Sequence, residues 1–197
     1  MTLAQTARLL TVAVGVCATR VAAQVLAVDV LVTGGTVYDG SGAPGRRADI
    51  GWRGDRIVFV GNAAAAKVTA PRKIDASGLI VAPGFIDPHT HTQADLSNGD
   101  GRTNINYLMQ GVTTVATNND GGGTVQIGHT LAKWDTTGIG TNALLYVPQG
   151  SVRQRVMGMS DKPATTDEIE RMAALVERGM KDGAFGLSAG LYYAPAS

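Results

Sequence analysis

The chain has one cysteine in 197 residues, three histidines, 5% aromatic residues and 17% charged residues, and each shortage removes a class of protein. A lone Cys17 forms no internal disulfide, so the fold is not a disulfide scaffold in any compartment. Seventeen Lys and Arg against sixteen Asp and Glu leave a net charge of +1 with no basic cluster. Nucleic-acid binding rests on neutralising many phosphates, and nothing in this sequence supplies that. No apolar run reaches the ~20 residues that a membrane-crossing helix needs, so no stable membrane span is expected. At 44% hydrophobic, the chain is too rich in Ala, Val, Ile and Leu for disorder. Glycine is in surplus: 26 of 197 residues is about 13%, against a usual share of roughly 7%, and many turns are implied.

Residues 1–23 read as an export signal. Arg8 supplies a weak positive start, the stretch from Leu9 to Ala18 is uncharged and apolar, and Val21-Ala22-Ala23 offers small residues for cleavage before Gln24. Cys17 lies inside that segment and leaves with it. Removing the segment takes away Arg8 and Arg20 and no acids, so the balance becomes 15 minus 16, or −1. An exported protein in the bacterial periplasm or secreted is expected, with a buried amino-terminal helix as the alternative.

Residues 24–82 alternate short strands with tight turns. Val28 to Val32, Thr36 to Tyr38, Ala48 to Trp52 and Ile57 to Val60 are the candidate strands, and Arg53-Gly54-Asp55 is the turn of a hairpin. A β domain of this size is too small to be comfortable alone. After Pro83 the period changes to alternating strand and helix. Strands are expected at Phe85-Ile86, Val112 to Ala116, Ala143 to Val147 and Phe185 to Ser188, and helices at residues 105–110 and 125–134. Thr165-Thr166-Asp167-Glu168 is a capping box, and Ile169, Met172, Ala173, Val176 and Met180 follow at helical spacing as the expected inward face. The fold class is therefore α/β. Four strand and helix alternations argue for a parallel sheet, and four are half of an eight-stranded (β/α)8 barrel.

Two of the three histidines, His89 and His91, are separated by one residue. Alternate residues of an extended segment face the same way, so His-x-His at a strand end aims two imidazoles at one point, which suits a metal. Asp87 points the same way and is the candidate acceptor behind a ring nitrogen, where it would fix the tautomer. A bare His-x-His also arises by chance on a surface or in a core. The flanking residues reverse those odds.

Those residues are Pro83-Gly84-Phe85-Ile86-Asp87-Pro88-His89-Thr90-His91, and they resemble the opening of the amidohydrolase superfamily barrel. Leu31-Val32-Thr33-Gly34-Gly35-Thr36-Val37-Tyr38-Asp39-Gly40 and Gly54-Asp55-Arg56-Ile57 are similar to the β-sandwich carried beside it. Gly111 to Val115, Gly150 to Arg153 and Asp182 to Tyr193 are similar to the N-acyl-D-amino-acid deacylase branch. The resemblance runs from about Val28 to Pro195. It implies part of a small β-sandwich at residues 24–82 and a partial, truncated barrel of about four βα units at residues 83–197. It also implies hydrolysis of a small-molecule linear amide by zinc-activated water, most closely an N-acyl-D-amino acid, with one or two Zn(II) ions. His89 and His91 are the implied ligands.

The resemblance is imperfect. Where the branch places a cysteine ligand in Asn-Cys-Gly, this chain has Asn119-Asp120-Gly121. Asp120 is either a hard oxygen ligand or an Asx turn into the Gly121-Gly122-Gly123 loop. Gly-His-Gly of the branch is Pro148-Gln149-Gly150 here. The remaining ligands and the catalytic base are expected beyond Ser197, so this chain alone is expected to be inactive and prone to self-association through open sheet edges. A cyclic-amide hydrolase of dihydroorotase or hydantoinase type is the enzyme alternative, disfavoured because the fourth strand holds no Lys. A non-catalytic truncated fragment is the alternative outside enzymes. His129, on a helix, reads as a surface residue. Gly40 to Gly45 matches G-x-G-x-x-G but leads into no helix, and Ser151 and Ser188 sit in no G-x-S-x-G, so dinucleotide and serine-hydrolase readings are weak.

Overall fold

A computed structural model describes residues 25–192 and 194–196. The export segment expected at residues 1–23 lies outside the described residues. Two compact units divide between Ala82 and Pro83.

The first unit is β throughout. Strands β1 (Val30–Thr33), β4 (Asp49–Arg53), β5 (Arg56–Gly61) and β6 (Arg72–Asp75) form a four-stranded sheet in the order β5-β4-β1-β6. A three-stranded sheet contains β3 (Arg46–Arg47), β2 (Thr36–Val37) and β7 (Ile80–Val81) in the order β3-β2-β7. Val28, Leu31, Ala63 and Val68 form its core, and the Asp49 carboxylate joins two loops by accepting from the N–H groups of Gly34 (3.0 Å) and Ala63 (2.8 Å). Arg53-Gly54-Asp55 does turn the β4-β5 hairpin, with Gly54 at φ +57°. Gly40 to Gly45 is loop. There the backbone N–H and hydroxyl of Ser41 both donate to Asp39 and hold its carboxyl below the usual carboxylate range, the hydroxyl contributing most.

The second unit is α/β with a parallel sheet. Its strands are β8 (Phe85–Asp87), β9 (Val112–Thr117), β10 (Asn142–Pro148) and β11 (Gly186–Ser188), neighbours in chain order and parallel throughout. Between them run α1 (Gln93–Ser97), α2 (Ile105–Leu108), α3 (Ile127–Thr137), α4 (Gln149–Met157) and α5 (Thr166–Lys181). β-branched residues from Val112 to Thr117 suit a strand covered by helices. Leu96, Val115, Ile127, Trp134, Leu145, Val147 and Val152 form the core between sheet and helices. Trp134 keeps its indole N–H satisfied by donating to Ser97 Oγ at 3.0 Å.

Helix α5 starts at the expected capping box, with Thr165 and Glu168 bonded reciprocally. Its buried face matches the expected one in part. Met172 and Val176 face the core as expected, Ile169, Ala173 and Met180 are exposed, and Leu175 and Gly179 complete the buried face. Gly179 is the reason: a Cβ there would lie 2.6 Å from Val147 Cγ2, so the helix approaches β10 most closely at the one residue without a side chain. The third helix begins at Ile127, two residues later than expected, and ends at Thr137 before Gly138, whose φ is +71°. Among the described residues no helix is long and apolar enough to cross a membrane.

Candidate metal centre

In a parallel sheet every strand ends on the same edge, so the segments that leave the four strands converge there. His89 and His91 follow β8, Asn118 to Asp120 follow β9, Gln149 opens α4 directly after β10, and Ser188 ends β11.

The alternation expected for His89-Thr90-His91 is present just beyond the strand end. Thr90 is buried, and its N–H (2.9 Å) and hydroxyl (2.8 Å) both donate to the Ala116 carbonyl. That anchor turns the flanking residues outward, and their rings stand 5.5 Å apart at 67°. Asn119 supports it from the other side, donating through Nδ2 to the carbonyls of Thr90 (2.9 Å) and Ala116 (3.0 Å). Neither Thr90 nor Asn119 was singled out in the sequence. The only local signal was a small polar residue locked between two histidines and an Asx pair at a strand end.

Asp120 lies in a turn, and its carboxylate faces the two imidazoles. Asn118 and Asp120 adopt left-handed backbone, φ +66° and +55°, and Gly122 N–H closes a turn onto the Asn119 carbonyl at 3.1 Å. The Asp120 carboxylate is not used to close that turn. Its Oδ2 lies 3.2 Å from His89 Nε2 and 3.4 Å from His91 Nε2, and one ligand atom from each of the three residues falls within 4.8 Å of the others.

Asp87 does something other than expected. Its Oδ1 accepts from the backbone N–H of His89 at 3.1 Å, so it shapes the turn that launches the histidines instead of backing a ring nitrogen. The cause is the local turn, in which the carboxylate two residues before His89 accepts from the main-chain N–H. Gln149 is half-buried, and its Oε1 has no hydrogen-bond partner among the described residues. His129 is exposed on α3, away from the strand ends.

Residues 72–196 match the amidohydrolase family. The chain belongs to that family. It is 38% identical over 192 residues to a D-aminoacylase of Alcaligenes xylosoxydans xylosoxydans, covering 86% of this chain and 39% of that protein. Among solved structures it is similar to a D-aminoacylase described by its binuclear metal centre, with 36% identity and a TM-score of 0.78 over 86% of this chain and 40% of that one. It is also similar to an N-acyl-D-glutamate deacylase from Bordetella bronchiseptica in complex with zinc and a phosphonate inhibitor, with 32% identity, a TM-score of 0.77 and the same two coverages. This amidohydrolase chain spans about two fifths of the length of the curated relatives it matches.

Proposed function

We propose that the chain is the amino-terminal portion of a metal-dependent amidohydrolase that removes the acyl group from N-acyl-D-amino acids. Residues 83–197 then supply the first four βα units of an eight-stranded barrel, and residues 24–82 part of the β-sandwich beside it. The observation that carries the reading is the convergence of His89, His91 and Asp120 at the carboxyl ends of parallel strands. The D-aminoacylase and deacylase relatives support the substrate class.

The donor set fits Zn(II). Imidazole nitrogen and carboxylate oxygen bind zinc at about 2.0 to 2.2 Å, and tetrahedral bonds of that length put ligand atoms roughly 3.3 to 3.6 Å apart. The two nitrogen-to-oxygen distances here, 3.2 and 3.4 Å, lie close to that spacing. The 3.2 Å pair is also a hydrogen bond between His89 Nε2 and the Asp120 carboxylate, which holds the two groups on one point. Bound by these residues, zinc would supply Lewis acidity, enough to bring the pKa of water to about 7 and to polarise an amide carbonyl.

The protein groups bind and orient. His89 and His91 present Nε2 to one point, and Asp120 brings the negative charge that offsets a cation. Thr90 and Asn119 hold both loops to the Ala116 carbonyl. The side chains of His89, His91 and Asp120 are 58%, 70% and 45% exposed, so they do not exclude water. Water exclusion and the general base belong in this reading to the remaining barrel strands. Export of the protein is carried by residues 1–23 and predicts a processed amino terminus near Gln24 on sequencing the secreted product.

Two measurements test the metal and the substrate separately. The 197-residue chain is expected to retain zinc on equilibrium dialysis, and His89→Ala or His91→Ala to weaken it at least about tenfold; equal retention by either variant removes the metal reading. The polypeptide carrying the remaining strands, loaded with zinc, is expected to release D-amino acids from a panel of N-acyl derivatives. No release from any of them removes the substrate reading.

A further inference from the structure

We infer that Ser188 is a positioning residue for Asp120, holding from two strands away the turn that presents its carboxylate to His89 and His91. This deepens the metal reading above and rests on it.

Ser188 ends β11, whereas the turn from Asn118 to Gly121 follows β9, and β10 lies between them in the sheet. The Ser188 hydroxyl donates to the Asn118 carbonyl at 2.5 Å and accepts from the Gly121 N–H at 3.2 Å. A hydroxyl has one proton and two lone pairs, so it can serve as donor and acceptor at once. One side chain thereby ties both ends of a four-residue turn. It also commits its only proton, which removes Ser188 as a free nucleophile.

The turn needs such a tie. Two of its residues, Asn118 and Asp120, carry a Cβ in the left-handed region, which Asn and Asp tolerate better than other L residues but at a cost that surrounding bonds offset. Its backbone is also backed by backbone. A Cβ on Gly190 would lie 2.2 Å from the Asp120 carbonyl oxygen, and one on Gly121 would lie 3.0 Å from Gly190 N and 3.1 Å from Gly150 N. The segment after β11 thus lies against the carbonyl side of the Asp120–Gly121 peptide, while Ser188 holds the N–H of that same peptide and the carbonyl of the Asn118–Asn119 peptide. The Asp120 carboxylate meets the two imidazoles, and its aim is set through its backbone. Ser188 and Gly190 act on that backbone together with the Asn118 and Asn119 amides and the Ser151 N–H, and Ser188 is the one side chain that bonds both ends of the turn.

The test uses Co(II), whose visible d–d absorption reports ligand geometry, titrated into the 197-residue chain. Ser188→Ala is expected to bind about tenfold more weakly with an altered d–d band, while far-UV circular dichroism and Trp134 fluorescence stay as in the unsubstituted chain. In a chain carrying Asp120→Ala, adding Ser188→Ala is expected to cost nothing further, because Ser188 acts through Asp120. Unchanged affinity and spectrum in Ser188→Ala overturn the inference, as does an equal loss with and without Asp120. A measurement without substitution guards against a variant that fails to fold: the Gly121 amide is expected to resist hydrogen exchange, and exchange at the unstructured rate overturns the tie. Failure of the underlying reading shows separately, as Co(II) binding by His89→Ala that equals the unsubstituted chain.

Discussion

A methyl group on Gly84 would place its carbon 2.1 Å from Thr113 Oγ1 and 2.2 Å from Thr113 Cγ2. Thr113 belongs to β9 and Gly84 immediately precedes β8, so the absent side chain is what lets the first strand of the parallel sheet lie against the second. Gly84→Ala is therefore expected to destabilise the second unit by ~1 to 3 kcal/mol, the usual cost of overpacking. Urea unfolding followed by Trp134 fluorescence measures it, and an unchanged midpoint refutes it. At the same scale the candidate site was only half legible. His89 and His91 announced themselves by spacing, because alternation in an extended segment is a local property. Thr90, Asn119 and Ser188 did not, because each works through a carbonyl or N–H that is 26 to 70 residues away. Asp87 was legible as a polar residue near the site, but its bond to the neighbouring main chain was not.

At the scale of the element, α5 was readable because its start is self-contained. Thr165 N–H donates to Glu168 Oε2 at 2.8 Å, and Glu168 N–H donates back to Thr165 Oγ1 at 3.4 Å. Thr165→Ala is expected to cost about 1 kcal/mol of unit stability, read from urea unfolding at neutral pH. The backbone N–H of Thr165, and then its hydroxyl, hold the Glu168 carboxyl below its ordinary value of 4.5. Since the folded value is the lower one, the contribution is complete above the ordinary value and is lost as pH falls through the lowered one. Glu168→Gln is expected to flatten stability against pH in that acidic window only; a slope altered near neutrality instead would refute this. Helix α4, by contrast, carries no such local mark. It buries little apolar surface beyond Val152, and its Ser151 N–H is satisfied by the Gly121 carbonyl at 2.9 Å, a partner supplied by another loop. No capping residue stands in the local sequence to mark its start.

At the scale of the molecule, β8 and β11 each pair with one neighbour among the described residues. Phe85, Ile86, Phe185 and Leu187 beside these edges are more than half exposed. Unpaired strand edges flanked by exposed apolar side chains recruit partners. The isolated 197-residue polypeptide is accordingly expected to associate with itself as its concentration rises, measured by sedimentation velocity. A single monomeric species at every concentration would refute this.

Local order was written in the chain directly: the hairpin at Gly54, the β-branched run of β9, the capping box of α5, and the presentation of His89 and His91 on one side. All of these follow from periods and turn chemistry that act over a few residues. The tertiary structure decided that Asp120 joins the two imidazoles, that Gly179 and not Met180 meets the sheet, and that α4 takes its cap from the Asp120 loop. Those outcomes depend on which strands become neighbours, and the distances involved close only when the parallel sheet brings four strand ends to one edge.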